Sequence, residues 1–194
     1  MGLLLWATDV HLDHLRGRDA AKWFGHSLRE AHPTAEGLLL TGDNAEAPTF
    51  AKLLRDLQAA FAAPVYFILG NHDYYRGSFT EGDQQALALH SPVLHWLSVS
   101  PIWPAPGVAL CGSEGWYDVR YGDPNSDLMM SDFVRIEELF QAQDHSREEL
   151  IRTLRARADQ SADSLDCSLT ELEGNKPTQV IIATHVPPFP GATW

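Results

Sequence analysis

The run Val65-Tyr66-Phe67-Ile68-Leu69-Gly70-Asn71-His72-Asp73 sets the architecture of this chain. Five consecutive apolar, β-branched and aromatic residues match a strand buried on both faces, the kind found in parallel sheets. The strand stops at Gly70, and an amide, an imidazole and a carboxylate follow at once. Ligands of open α/β sheets bind at the carboxyl ends of the strands. These three residues therefore stand where metal-binding or proton-transfer groups belong. Gly-Asn-His-Asp is also good turn chemistry in its own right, and the other strands have to decide between the two readings.

Two strands precede this one. Leu3 to Ala7 is an apolar run that ends in Thr8-Asp9-Val10-His11, and Gly37 to Leu40 is another that ends in Thr41-Gly42-Asp43-Asn44. Between them, Ala20, Trp23, Phe24 and Leu28 recur at helical spacing, closed by Pro33. Pro48 suits the first turn of a second helix, whose Phe50, Leu53, Leu54, Leu57 and Phe61 share one face before Pro64 ends it. Strand, helix, strand, helix, strand in succession favours parallel pairing.

Downstream, the pattern predicts a short helix over 81–90, an extended segment over 93–97 and a connection with three prolines over 100–107. A strand over 108–112 runs into Ser113-Glu114-Gly115-Trp116-Tyr117-Asp118, followed by a loop over 121–127 and helical periodicity over 133–140. Ser146 and Glu149 form a capping box that opens a helix to Ala158 or beyond. Its Arg147, Arg152, Arg155 and Arg157 read as a solvated face. Val180 to Ala183 is the last buried strand, ending in Thr184-His185-Val186-Pro187-Pro188.

The chain of 194 residues is long enough for one domain with a substantial core. Lys plus Arg number 14 against 26 Asp plus Glu, a formal net charge of −12. That balance disfavours a long nucleic acid as partner, unless bound metal reverses the local field. The two cysteines, Cys111 and Cys167, have no zinc or redox spacing, so a reducing, cytoplasmic setting is expected. The apolar start reaches Asp9 too early for a signal peptide, and no run is long enough to span a membrane.

Four strand ends thus carry polar residues of one kind: Asp9 with His11, Asp43, Asn71 with His72, and His185. Carboxylate, imidazole and amide oxygen together suit divalent ions such as Mn, Fe, Zn or Co. Asp9 and His11, two apart, fall on the same side of an extended segment. A carboxylate such as Asp43 can bridge two cations, which an imidazole cannot do.

Asp9-Val10-His11, Gly42-Asp43-Asn44, Gly70-Asn71-His72-Asp73 and Thr184-His185, in this order, resemble the motifs of the calcineurin-like metallophosphoesterase family. The resemblance spans essentially the whole chain. It implies a four-layer α-β-β-α sandwich of two mixed sheets with two divalent metal ions at the strand ends. By that match Asp9 and His11 hold the first metal, Asp43 bridges, and Asn71 and His185 hold the second. His72 faces the substrate phosphate, and Asp73 orients its ring. The implied reaction is hydrolysis of a small phosphomonoester or phosphodiester by a metal-bound hydroxide, the two ions clamping the attacking and leaving oxygens. The ions would also supply the positive field that a net charge of −12 lacks.

The family pattern continues with a Gly-His-x-His stretch, and no residues after His185 can fill it. The chain therefore reads as a single metallophosphoesterase domain over residues 1–194, truncated at its C-terminal end and lacking its last strands. An open sheet edge beside Val180 to Ala183, or a partner chain covering it, is the corresponding expectation. The rival reading is a non-catalytic scaffold with a decayed metal site. His14 is a weak substitute ligand, and Asp13 reads as a cap or an acceptor for His11. Glu114 to Asp118 and Pro187 to Phe189 either line the mouth of a substrate pocket or, for Trp116 and Tyr117, pack the core.

Overall fold

The computed structural model describes residues 2–17, 19–120, 123, 126–127, 129–189 and 191. Most of the loop expected over 121–127 and the end of the chain at Ala192 to Trp194 lie outside these residues. The first sheet holds β1 (Leu3–Ala7), β2 (Ala35–Thr41), β3 (Val65–Ile68) and β4 (Leu94–Trp96), in that order and parallel throughout. Helices α1 (Ala20–Ala31), α2 (Ala47–Phe61) and α3 (Phe79–Leu89) make the crossovers that parallel pairing requires. The second sheet, β5 (Ile102–Ala105), β6 (Val108–Ser113) and β7 (Gln179–Thr184), is mixed: β5 runs antiparallel to β6, and β7 parallel to it.

Alternation along each strand makes the layers. Leu38 and Leu40 of β2 with Val65 and Phe67 of β3 face Phe50, Leu54, Leu57 and Phe61 of α2. The residues between them, Leu39 and Ile68, point the other way and meet Leu110 and Ala183 of the second sheet. Ala109 and Cys111 of β6 face the long helix α6 (Arg147–Asn175) and its Leu172. Helices, sheet, sheet and helix follow one another, the four-layer α-β-β-α sandwich.

Three local expectations change. The proline-rich connection contains strand β5, which tolerates Pro104 because it lies on a sheet edge. The periodicity over 133–140 belongs to two helices, α4 (Asp132–Arg135) and α5 (Glu137–His145). They part at Ile136, whose extended backbone bridges to Gly77. The last strand, β7, is only half buried. Ile181 and Ala183 face the first sheet, while Val180 and Ile182 point to the α6 side, where they are exposed. Among the described residues the strand pairs on one side, with β6. Among the described residues no helix is long and apolar enough to cross a membrane.

Candidate metal centre

The site is built where β1, β2, β3 and β7 leave their sheets. The loops after β1 and β2 run side by side, with backbone N–H groups of Asp9, His11 and Leu12 donating to the carbonyls of Gly42, Asp43 and Asn44. Asp9, His11 and Asp43 all have left-handed backbone, with φ of 53°, 39° and 53°. Non-glycine residues rarely adopt this conformation, and it concentrates at functional sites. The segment from Asp9 to His11 is therefore not extended, as the sequence suggested, but curls so that its two side chains reach different parts of the site.

Two glycines are required by close approach. A Cβ on Gly42, itself at φ 94°, would stand 2.5 Å from Nδ1 of His185, and one on Gly70 would stand 2.3 Å from Oδ1 of Asp43. Gly42 and Gly70 are thus the space in which His185 and Asp43 sit.

Asp43 is the centre, only 4% exposed. Its Oδ1 accepts the backbone N–H of His72 at 3.0 Å and lies 3.4 Å from Nε2 of His185. Its Oδ2 lies 3.8 Å from Nε2 of His11 and 3.8 Å from Nε2 of His72. Among the described residues, ligand atoms converge within 4.8 Å in the groups His11–Asp43–His72 and Asp9–Asp43–His185, both sharing Asp43. A third group, Asp13–His14–Glu46, lies beside them. His14 stacks on His11, with ring centroids 5.1 Å apart, and does not join the Asp43 groups.

The histidine geometry is compatible with cation binding. Nδ1 of His185 lies 2.9 Å from the carbonyl of Thr41, which can only accept, so Nδ1 carries the hydrogen. The Nε2 lone pair is left facing Asp43 and, at 3.3 Å, Oδ1 of Asn71. A partner on the second ring nitrogen is the usual arrangement for a metal-bound histidine. His72 is held differently: its ring lies 4.2 Å from that of Tyr75 and 4.7 Å from that of His11, and its buried Nδ1 has no partner among the described residues. Burial lowers its pKa, with Asp43 opposing. Buried carboxylate, imidazole nitrogens and amide oxygen facing one spot fit divalent ions of intermediate hardness.

Asp73 does not orient the His72 ring. Its Oδ1 accepts the backbone N–H groups of Asn44 and Ala45, each at 2.9 Å. Its Oδ2 accepts from Gly70 N at 2.7 Å and from the Asn44 side-chain amide at 3.1 Å. The carboxylate ties the turn after β3 to the turn after β2, and so sets the spacing of Asn71 and Asp43. Burial pushes its pKa up to about 8 against these donors. Asp13 likewise accepts from Glu46 N at 3.2 Å rather than from His11.

Several residues at the site gave no signal in the sequence. Arg157, read there as solvated, is 6% exposed. Its guanidinium grips both oxygens of Asp83 at 2.6 and 2.9 Å, bonds the Tyr74 hydroxyl and lies 3.9 Å from the buried Glu114. This locks α6 onto the Asn71–Tyr74 turn. Asp132 accepts from Asn71, Tyr75 and Tyr117. The expected pocket walls do meet: Trp116, Tyr117, Pro187, Pro188 and Phe189 line a cavity of about 620 Å³ against α6. Trp116 is a core residue as well, edge-on to Tyr74 and Phe79, and Glu114 faces inward.

An α-β-β-α sandwich with carboxylate and imidazole groups gathered around Asp43 at its strand ends is a setting that suits a metal-dependent enzyme. The chain belongs to the calcineurin-like phosphoesterase family, whose family model matches residues 3–194. No curated protein sequence is significantly similar to it. Among solved structures it is similar to phosphopantetheinyl hydrolase from Mycobacterium tuberculosis. The TM-score is 0.58 at 16% identity, over 95% of this chain and 68% of that one. A nuclease, MPE, from Pseudomonas putida superimposes loosely, with a TM-score of 0.34 at 18% identity over 60% of this chain and 56% of that one. The first likeness speaks for the fold.

Proposed function

We propose that this chain is a dinuclear metallophosphoesterase acting on small phosphomonoesters or phosphodiesters. The observation that supports this best is the division of Asp43: Oδ1 turns to His185 while Oδ2 turns to His11 and His72. One buried carboxylate serving two donor groups is what a pair of ions needs from a bridging ligand. Asp9 and His185 complete one group and His11 with His72 the other, and Oδ1 of Asn71 stands beside His185. Mn, Fe, Zn or Co bound there would lower the pKa of water and neutralise phosphate charge. His72, half-exposed and braced on Tyr75, would meet a phosphate oxygen or the leaving group. The cavity walled by Tyr117 and Phe189, which Thr184 and Val186 line on either side of His185 in the chain, would take the organic part of the ester.

The test is turnover of p-nitrophenyl phosphate and bis-p-nitrophenyl phosphate by protein loaded with each of the four metals, before and after chelation. Metal-dependent hydrolysis of either ester is the expected result, and their ratio reports monoester or diester preference. Protein that binds no metal and turns over neither ester would leave the scaffold reading in its place.

A further inference from the structure

Asp132 is 1% exposed and lies far in sequence from the strand-end motifs. Its segment is nonetheless clamped to the turn that carries Asn71. The backbone N–H of Arg76 donates to the carbonyl of Arg135 at 2.8 Å, and that of Glu137 donates to Gly77 at 3.0 Å. The break at Ile136 is what allows this pairing. The carboxylate is thereby brought under Asn71, and every neighbour the structure gives it is a donor. Oδ1 accepts from Nδ2 of Asn71 at 2.7 Å and from the Tyr75 hydroxyl at 2.5 Å, and Oδ2 accepts from the Tyr117 hydroxyl at 2.8 Å.

The consequence falls on the amide of Asn71. A carboxylate can only accept, so the amide must turn its NH₂ toward Asp132. The second hydrogen goes to the Tyr75 hydroxyl at 3.0 Å. With both hydrogens engaged on one side, Oδ1 faces the opposite way, 3.3 Å from Nε2 of His185. A flipped amide would set oxygen against the Asp132 carboxylate. The same hydrogen bonds draw electron density toward the amide oxygen, making a weak neutral donor a better one.

We infer that Asp132 is a positioning residue for the metal centre, holding the Asn71 amide with its oxygen turned toward the ion shared with Asp43 and His185. Tyr75 supports both sides of the site, since its hydroxyl engages Asn71 and Asp132 while its ring braces His72. Tyr117 fixes the far oxygen of Asp132. The inference rests on the reading of Asn71 as a metal ligand.

The experiment is calorimetric titration of chelator-stripped protein with Mn²⁺, with circular dichroism to establish folding. The variants are Asp132→Ala, Asp132→Asn and the double exchange Asn71→Asp/Asp132→Asn. Loss of a partner that orients a ligand weakens metal binding by about 10- to 100-fold, and this is expected of Asp132→Ala while its fold is retained. Asp132→Asn is expected to weaken binding too, because an amide at position 132 can also satisfy a flipped Asn71. The double exchange reverses donor and acceptor, conserves net charge and shape, and is expected to restore binding above the level of Asp132→Asn. A merely structural role would lower the melting temperature and leave the Mn²⁺ affinity unchanged, and that result in folded Asp132→Ala overturns the inference. If Asp132→Ala does not fold, the double exchange decides, and binding no tighter than in Asp132→Asn overturns it. Wild-type protein that takes up no Mn²⁺ would overturn the metal-centre reading itself, an outcome distinct from the other two.

Discussion

Nε2 of His185 stands 3.4 Å from Oδ1 of Asp43, although the two residues come from different sheets. The contact is possible because Gly42 and Gly70 leave no side chain between them. It places the last strand's histidine on one oxygen of the carboxylate and leaves the other to His11 and His72. Asp43→Asn keeps the shape but removes the charge and one of the two acceptor oxygens. Metal content measured by plasma emission should fall further in Asp43→Asn than in Asn71→Ala, because only the former serves both groups. Equal content in the two variants would count against a bridging role.

His72→Ala removes an imidazole whose Nδ1 has no partner among the described residues and whose ring rests on Tyr75. A positioned acid or phosphate-binding group contributes about 10²-fold or more to turnover. Turnover of the better nitrophenyl ester should fall by that scale with metal content unchanged. Loss of metal together with turnover would instead make His72 a ligand, a role for which its 3.8 Å distance from Asp43 leaves room.

Arg157→Met leaves Asp83, Glu114 and the Tyr74 hydroxyl without their cation in a buried setting. Breaking a buried ion pair from one side costs about 3–5 kcal/mol. At roughly 2–4 °C per kcal/mol for a chain of this size, the melting temperature should drop on the order of 10 °C. Arg155→Met, on the exposed face of the same helix, should change stability by less than about 0.5 kcal/mol. Similar small shifts in both variants would show that the buried network stabilises nothing.

His90 accepts the backbone N–H of Trp96 at Nδ1, at 3.2 Å, which requires an unprotonated nitrogen there. Burial, and His95 beside it, hold its pKa below the ordinary 6.5. As pH falls from 6.5, the unfolded chain takes up this proton before the folded one. Folding stability therefore decreases through that window, and the loss is complete once pH is below the folded value. Urea unfolding of wild type and His90→Asn between pH 5 and 7.5, roughly one unit or more either side of 6.5, isolates the contribution. The variant, whose amide oxygen can accept the same N–H, should show the shallower slope. Parallel profiles would exclude His90 as the source.

The strand ends of this protein were legible because each finishes an apolar run and begins with a residue that no core would take. Val65 to Ile68 followed by Gly70, Asn71 and His72 fixes element, direction and the place of the polar groups from local pattern alone. The same logic gave the order of strands and helices in the first sheet and the capping of α6 by Ser146. Tertiary structure decided the rest, wherever an outcome depends on a partner distant in sequence. Arg157 has the same local setting as Arg155, and only the approach of Asp83, Glu114 and Tyr74 makes it a buried cation. The family resemblance pairs Asp73 with its neighbour His72, but the turn after β2 offers it backbone donors instead. Ile136 ends a helix because Gly77 presents backbone to pair with, and that pairing sets Asp132 beneath Asn71. Periodicity and turn chemistry report which way a side chain leaves its own backbone. What it meets there is set by packing between segments far apart in the chain, and no local pattern encodes that.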